Sequence, residues 1–279
     1  MIVFIVNPIS GSGKKKEIIS FLENNGHKVV CTEYAGHAEV IARETDAEVV
    51  VAVGGDGTVN EVARGIIGTS KTLGIIPCGS GDGLALHLGI SRNYRKALKT
   101  VLEGKVIKMD SATINGRPFF SVCGIGFDAE VSERFADSGK RGMLNYVDQG
   151  LKTWRNYTPD KYRIRIDDKE WENSAALITI GNSNQWGNGA KITPHADISD
   201  GLLDITVVDM FSTIEMPALA HLLMTGHLDH NSKVHCYKGR NISITRSVTG
   251  PAHADGDWFI TGESIDVSIL PGSLNIIVP

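Results

Sequence analysis

Gly54-Gly55-Asp56-Gly57-Thr58-Val59-Asn60-Glu61 joins an apolar run over 48–53 to a helical pattern over 58–67. A continuous apolar run of that length reads as a strand buried on both faces. Three glycines in the turn after it allow positive φ and a close approach of backbone to ligand. They surround one acid, Asp56. A carboxylate in such a concave turn, beside a phosphate site, needs a cation between the two, so Asp56 is expected to face Mg²⁺ directly or through water. The alternative for Thr58 is a helix cap.

Working outward, the first hundred residues repeat the same unit. Residues 1–6, 27–32 and 72–76 read as further strands, and 14–25 and 37–44 as helices, with Gly26 in the helix-stop position. This β-α alternation predicts a parallel sheet covered by helices. Two more glycine-rich loops fall at the C-terminal ends of strands, the edge where open α/β sheets bind ligands. One is Asn7-Pro8-Ile9-Ser10-Gly11-Ser12-Gly13-Lys14, at a helix start suited to an anion. It fails the G-x4-G-K-[ST] pattern at Pro8 and Lys15. The other is 77–85, where Ser80 is placed to donate to a phosphate and Asp82 to cap the next helix or bind ribose.

After about residue 105 the texture changes. Strands with period-two alternation dominate, at 162–167, 175–181, 203–208, 241–245, 265–270 and 274–278. Asn115-Gly116 and Asp167-Asp168 read as hairpin turns between strands. Helical stretches interrupt at 142–155 and 213–225. The expected fold is an N-terminal α/β nucleotide-binding domain with a parallel sheet, 1–105, and a C-terminal, mostly antiparallel β-sandwich domain, 106–279. The seam between such domains is a usual place for a small-molecule cleft.

Composition narrows the function. The 279 residues are 42% hydrophobic and 22% charged, as in a folded globular protein. A net charge of −4 with no aromatic-basic pattern disfavours a nucleic-acid partner. Lys14, Lys15 and Lys16 read as a solvated face, and so does the looser group Arg134, Lys140 and Arg141. The four cysteines form no CxxC pair and read as buried free thiols in a reducing compartment. The apolar start ends at Asn7-Pro8 without the features of a signal peptide. No apolar run approaches the roughly 18 residues of a membrane span. The expected location is cytoplasmic, with any membrane contact peripheral. The nine histidines form no zinc pattern. Oligomeric state is not legible, and a homodimer stays open.

Together the loops resemble the diacylglycerol kinase catalytic family, which includes bacterial lipid kinases and sphingosine kinases. The likeness covers nearly the whole chain. Gly124-Ile125-Gly126-Phe127-Asp128-Ala129 resembles the family's G-x-G-F-D-A stretch, and Lys140-Arg141-Gly142 before Tyr146 its next block. Pro194-His195-Ala196 with Asp200-Gly201-Leu202-Leu203-Asp204 is similar to P-x-A…D-G-L-L-D, and Asp255-Gly256-Asp257 stands where the family has D-G-E. The resemblance implies ATP contacts at Asn7, Pro8, Ile9, Ser10, Gly11, Thr32, Gly55, Asp56, Gly57, Thr58, Val59, Asn60, Glu61 and Ser80. It implies a structural Mg²⁺ at Asp197, Asp200 and the Leu202 backbone oxygen. Its catalytic acids would be Asp56, Asp255 and Asp257. The chain departs from the family at Asp82 and Gly83, where Asn and then Asp or Ala are usual, and at Asp257, one methylene shorter than Glu.

The reaction implied is transfer of the ATP γ-phosphoryl group to a lipid hydroxyl, with Asp255 or Asp257 as base. If both lie on one strand they point the same way; Gly256 between them would instead make a turn. Asp128 and Tyr146 are candidates to line the lipid pocket. The rivals are a nucleotide kinase resembling NAD kinases, which shares GGDGT, and a non-catalytic nucleotide- or lipid-sensing module.

Overall fold

A computed structural model describes residues 1–8, 15–137, 150, 152–155 and 157–279, with side chains at 135–137 left out. Contacts divide the chain into two units, Met1–Ser111 with Pro271–Pro279, and Ala112–Leu270. The sequence offered one cut near residue 105. The second cut arises because the last strand returns to the first unit.

In the first unit, β1 (Ile2–Val6), β2 (Lys28–Cys31), β3 (Val49–Gly54) and β4 (Thr72–Pro77) form a parallel sheet in the order β2-β1-β3-β4. The runs of β1, β3 and β4 are almost wholly buried, which is why they carry no polar alternation. Helices α1 (Lys15–Asn24), α2 (His37–Glu44), α3 (Asp56–Ile66), α4 (Gly83–His87) and α5 (Tyr94–Glu103) follow in chain order. Gly65 lets α2 and α3 pack backbone to side chain, since a Cβ there would strike the Glu39 carbonyl and Ala42.

The final strand of the chain, β16 (Ser264–Val278), is continuous across Pro271-Gly272. The sequence reading had split it there. Its late part runs parallel to β4, pairing Asn275 with Thr72 and Ile276 with Leu73. Gly272 N–H donates to Asp110 Oδ1 at 2.7 Å, and Gly68 N–H to the Ser273 carbonyl at 2.8 Å.

The second unit is a β-sandwich. One sheet has the antiparallel order β12-β11-β10-β7-β14-β15, built from β7 (Val122–Gly126), β10 (Leu177–Gly181), β11 (Leu203–Val208), β12 (Val234–Gly239), β14 (Gly250–Ala254) and β15 (Asp257–Thr261). The other uses β8 (Asp160–Ile166), β9 (Lys169–Ala175) and β13 (Asn241–Arg246), with the early part of β16 paired to β13. The end of β5 (Lys105–Ile114) pairs with β6 (Arg117–Phe119) through Asn115-Gly116, where both residues have positive φ, as a tight hairpin demands. Alternate residues Tyr162, Ile164 and Ile166 point into a core shared with Ile178, Ile180, Ile205 and Val207 of the facing sheet.

The outer face of the six-stranded sheet is also apolar. Val122, Leu177, Val208 and Val234 pack there with Leu219 of α7 (Met216–Thr225). Helix α6 (Phe127–Asp137) leaves β7 at Gly126, whose φ of 89° and closeness to the Ala176 carbonyl exclude a side chain. The expected helix over 142–155 lies mostly outside the described residues. Cys78 and Cys123 are buried thiols as expected, but Cys31 and Cys236 are exposed. Among the described residues no helix is long and apolar enough to cross a membrane.

Candidate functional site

The two glycine loops after β3 and β4 pack on each other. A Cβ on Gly79 would stand 2.6 Å from Gly55 Cα, and one on Gly54 would overlap the Thr58 hydroxyl. None of Gly54, Gly55 and Gly57 has positive φ. Of the two uses expected of these glycines, positive φ and close backbone approach to a ligand, the first is not used, and two of them allow loop-to-loop and loop-to-helix contact. Only Gly57 faces open space, at the exposed start of α3.

The acids of these loops are exchanged. Asp82 stands at the N-cap position of α4 with φ 50°, but its side chain makes no cap. Its Oδ1 accepts from Gly79 N–H at 2.8 Å, and its Oδ2 lies 3.3 Å from Arg92 Nε. Burial pushes its carboxyl up, against the pull of Gly79 and Arg92. The first N–H of α4, on Gly83, is satisfied by Asp56 Oδ1 at 2.7 Å. Asp56 thus ties the second loop to the third. Mg²⁺ is commonly held by one or two carboxylates plus substrate phosphates, and half-buried Asp56 supplies one such carboxylate.

Other expected nucleotide residues fall as follows. Thr58 lies within α3 rather than capping it, and Thr58, Val59 and Asn60 are buried. Glu61 accepts from Gly36 N–H at 2.9 Å and Ala38 N–H at 3.1 Å, so it anchors the start of α2. Thr32 is buried just past β2 and donates its N–H to the Val6 carbonyl at 2.9 Å. Ser80 is exposed. Asn7 and Pro8 end β1, while Ile9, Ser10 and Gly11 lie outside the described residues, as do Lys140, Arg141, Gly142 and Tyr146.

Lys15 was read as part of a solvated run, yet it is only 5% exposed and its ammonium donates to the Asn7 carbonyl. It shares the buried stripe of α1 with Ile18 and Leu22, at helical spacing. That spacing was the available signal. The same ammonium pulls down on the Cys78 thiol, which burial nevertheless raises to about 11. A positive charge therefore sits under the floor of the glycine loops.

In the second unit, Asp255 and Asp257 do not share a strand face. Ala254 pairs with Asp257, leaving Asp255-Gly256 as a two-residue hairpin turn with φ of 50° and 87°. Positive φ at both positions is what the I′ turn requires. Asp255 accepts three backbone N–H groups, from Phe120 at 2.8 Å, Ser121 at 2.7 Å and Val122 at 3.0 Å. Asp257 is exposed.

The side chains expected to hold a structural Mg²⁺ are engaged by partners within the chain. Asp197 Oδ1 accepts from the Ser199 N–H and hydroxyl, and Asp200 Oδ1 from Leu202 N–H at 2.9 Å. Lys238 Nζ sits 3.1 Å from both Asp200 Oδ2 and Asp204 Oδ2. Among the described residues no three His, Cys, Asp or Glu side chains gather as metal ligands. Among the described residues, Lys238 is the cation beside Asp200 and Asp204. Melting curves with and without a chelator are expected to coincide, while Lys238→Met melts lower because buried Asp204 loses its partner. A drop on chelation in the unaltered protein would restore a divalent ion to the site.

Over the outer face of the six-stranded sheet lies a cavity of about 320 Å³, lined by Phe127, Leu177, Trp186, Phe211, Met216 and Leu219 among others. Asp128 is its only ionisable lining residue among those described. Asp128 is 2% exposed and sits over Gly124, where a Cβ would collide with it. Its Oδ1 accepts from Ala129 N–H at 2.9 Å; its Oδ2 meets the Thr179 hydroxyl at 3.0 Å and His253 Nε2 at 3.1 Å. Thr179, Gly124 and His253 are cross-strand neighbours in one row.

Comparisons with known proteins agree with this architecture. Residues 1–114 match the model of the diacylglycerol kinase catalytic domain, and residues 121–278 that of the YegS C-terminal NAD kinase beta sandwich-like domain. A Salmonella newport protein named "Probable lipid kinase YegS" is 31% identical over 85% of this chain and 80% of its own length. A crystal structure described as a "putative diacylglycerol kinase" from Bacillus anthracis strain Sterne superposes with a TM-score of 0.83 at 25% identity, covering 100% of this chain and 95% of that one. An Archaeoglobus fulgidus NAD kinase in complex with ATP shares the fold, with a TM-score of 0.57 at 12% identity over 99% of this chain and 93% of that one.

Proposed function

We propose that this chain, which belongs to the diacylglycerol kinase catalytic domain family and carries the YegS-type C-terminal sandwich, is an ATP- and Mg²⁺-dependent kinase of a lipid hydroxyl group. The observation that carries the reading is the apolar cavity of the second unit. NAD is polar and charged, and a wall of Phe, Leu, Trp and Met offers it little; an acyl chain gains by burial there.

Phosphoryl transfer asks mainly for positioning and charge neutralisation. The glycine loops supply close backbone and the start of α3, whose dipole favours phosphate. Lys15 adds positive charge beneath them. Asp56 would help hold Mg²⁺, which when bound would supply neutralisation of the phosphate charge. The lipid oxygen forms a bond to the γ-phosphorus as the bond to the β-phosphate bridging oxygen breaks, and ADP leaves. The hydroxyl proton passes to Asp257. This choice rests on position: Asp257 stands exposed at the start of β15, whereas Asp255 gathers three backbone N–H groups of the chain. The lipid is met at a membrane surface, with the protein bound peripherally.

The test is transfer of labelled γ-phosphate from ATP to a lipid panel with NAD alongside. A labelled lipid is the expected result. Label on NAD alone would move the chain to nucleotide phosphorylation, and no transfer to any acceptor would favour a sensing module.

A further inference from the structure

Helix α7 is at odds with its surroundings. Its sequence, Met-Pro-Ala-Leu-Ala-His-Leu-Leu-Met-Thr, holds no Asp, Glu, Lys or Arg. A helix this free of charge is normally buried, in protein or in lipid. Yet only Leu219 of α7 is fully buried, while Pro217, Ala218, His221, Met224 and Thr225 are exposed. Just before it stands Ile214, 91% exposed and the most exposed large apolar side chain among the described residues. The turn that displays Ile214 is held firmly. Glu215 N–H donates to the Ser212 carbonyl at 2.9 Å. The Glu215 carboxylate in return accepts from the Ser212 N–H at 2.6 Å, its hydroxyl at 2.8 Å and the Lys233 ammonium at 2.9 Å.

Composition selects what covers this face. Protein partners are gripped mainly through Trp, Tyr and Arg, and neither α7 nor the turn 212–215 contains any of them. Apolar burial without a fixed register is what a lipid phase offers. The acids nearby in the chain are paired, Asp209 with His235, Glu215 with Lys233 and Asp229 with His195, so little charge is left to repel an anionic head group. The inner stripe of the helix, Met216, Leu219 and Leu223, lines the apolar cavity. Pro217, His221 and Met224 form the opposite stripe at helical spacing. We propose that Ile214 and this outer stripe are the surface by which the protein enters a phospholipid bilayer, so that one helix forms both the membrane contact and a wall of the cavity. Ten residues are too few to cross a bilayer, so α7 would lie within its interface. The inference rests on the lipid-kinase reading for its link between bilayer and cavity.

The test is flotation of the full chain, without ATP, with vesicles of mixed phosphatidylcholine and phosphatidylglycerol. The unaltered protein is expected to float with the vesicles, in high salt as in low, because apolar burial is not screened. Ile214→Ser is expected to weaken partitioning by roughly tenfold, the scale of one buried aliphatic side chain, and Met224→Ser by less. Ile260→Ser removes the same side chain from another exposed position, on β15, and is expected to change nothing. Absence of flotation, flotation lost in high salt, no effect of Ile214→Ser, or an equal loss from Ile260→Ser would each overturn the inference. So would self-association in solution that Ile214→Ser abolishes, in place of vesicle binding; the face would then belong to a second copy of the chain. The kinase reading fails separately, by the absence of labelled product from lipid dispersed in detergent, where no bilayer is needed.

Discussion

Asp56→Asn is expected to lower phosphoryl transfer from ATP by roughly a thousandfold or more, the scale seen when a principal electrostatic element of a transfer site is lost. The substitution is informative because of what it keeps. The amide retains an oxygen that can accept from Gly83 N–H, so the tie between the two glycine loops persists. It loses the negative charge that a divalent cation needs. Thermal melting should therefore change little while turnover collapses. Near-normal turnover in a folded variant would remove Asp56 from the chemistry and leave it as the cap of α4.

Asp255→Ala is expected to act on stability first. The carboxylate gathers the N–H groups of Phe120, Ser121 and Val122, at the entry to β7 in the middle of its sheet. Hydrogen bonds to charged groups are worth about 1.5–3 kcal/mol each, and alanine at a φ of 50° adds backbone strain. A loss of about 3 kcal/mol or more in unfolding free energy is expected from denaturant titration. Asp255→Asn should fall between, since Asn tolerates positive φ but offers one acceptor oxygen in place of two. Asp257→Asn should lower turnover and cost less stability than Asp255→Ala. If Asp255→Ala melts like the unaltered protein and only turnover falls, Asp255 and not Asp257 is the better candidate for the base.

The sheet of the first unit was legible because its strands are buried on both faces and their apolar runs have no competing period. The sandwich was legible where one face is wet, as in β8, with Tyr162, Ile164 and Ile166 inward and Arg163 and Arg165 outward. Reading failed where small residues carry a strand. Val122-Cys123-Gly124-Ile125-Gly126 and Gly250-Pro251-Ala252-His253-Ala254 are rich in small residues, yet they pair inside a sheet; at Gly124 the small residue leaves room for Asp128. Helix α5 went unread, although Asn93 Oδ1 caps it by accepting from Arg95 and Lys96 N–H. In the candidate site, residue types were legible and partners were not. No spacing rule says that Asp56 caps the helix that Asp82 leaves uncapped, or that Lys238 stands between two acids. Those depend on loops brought together from distant stretches of chain.

The order of synthesis gives β16 a further meaning. The first unit is discontinuous in sequence: residues 271–279 complete it, and they leave the ribosome only after the whole of 112–270. Until then the start of the outer edge of β4, at Thr72 and Leu73, lacks the strand that pairs with it. An unpaired apolar edge is a template for pairing with another chain. The first unit is thus held incomplete while residues 112–270 are made. A ribosome stalled anywhere within the sandwich would present that edge unpaired, and arrival of Asn275 and Ile276 beside Thr72 and Leu73 is the event that covers it.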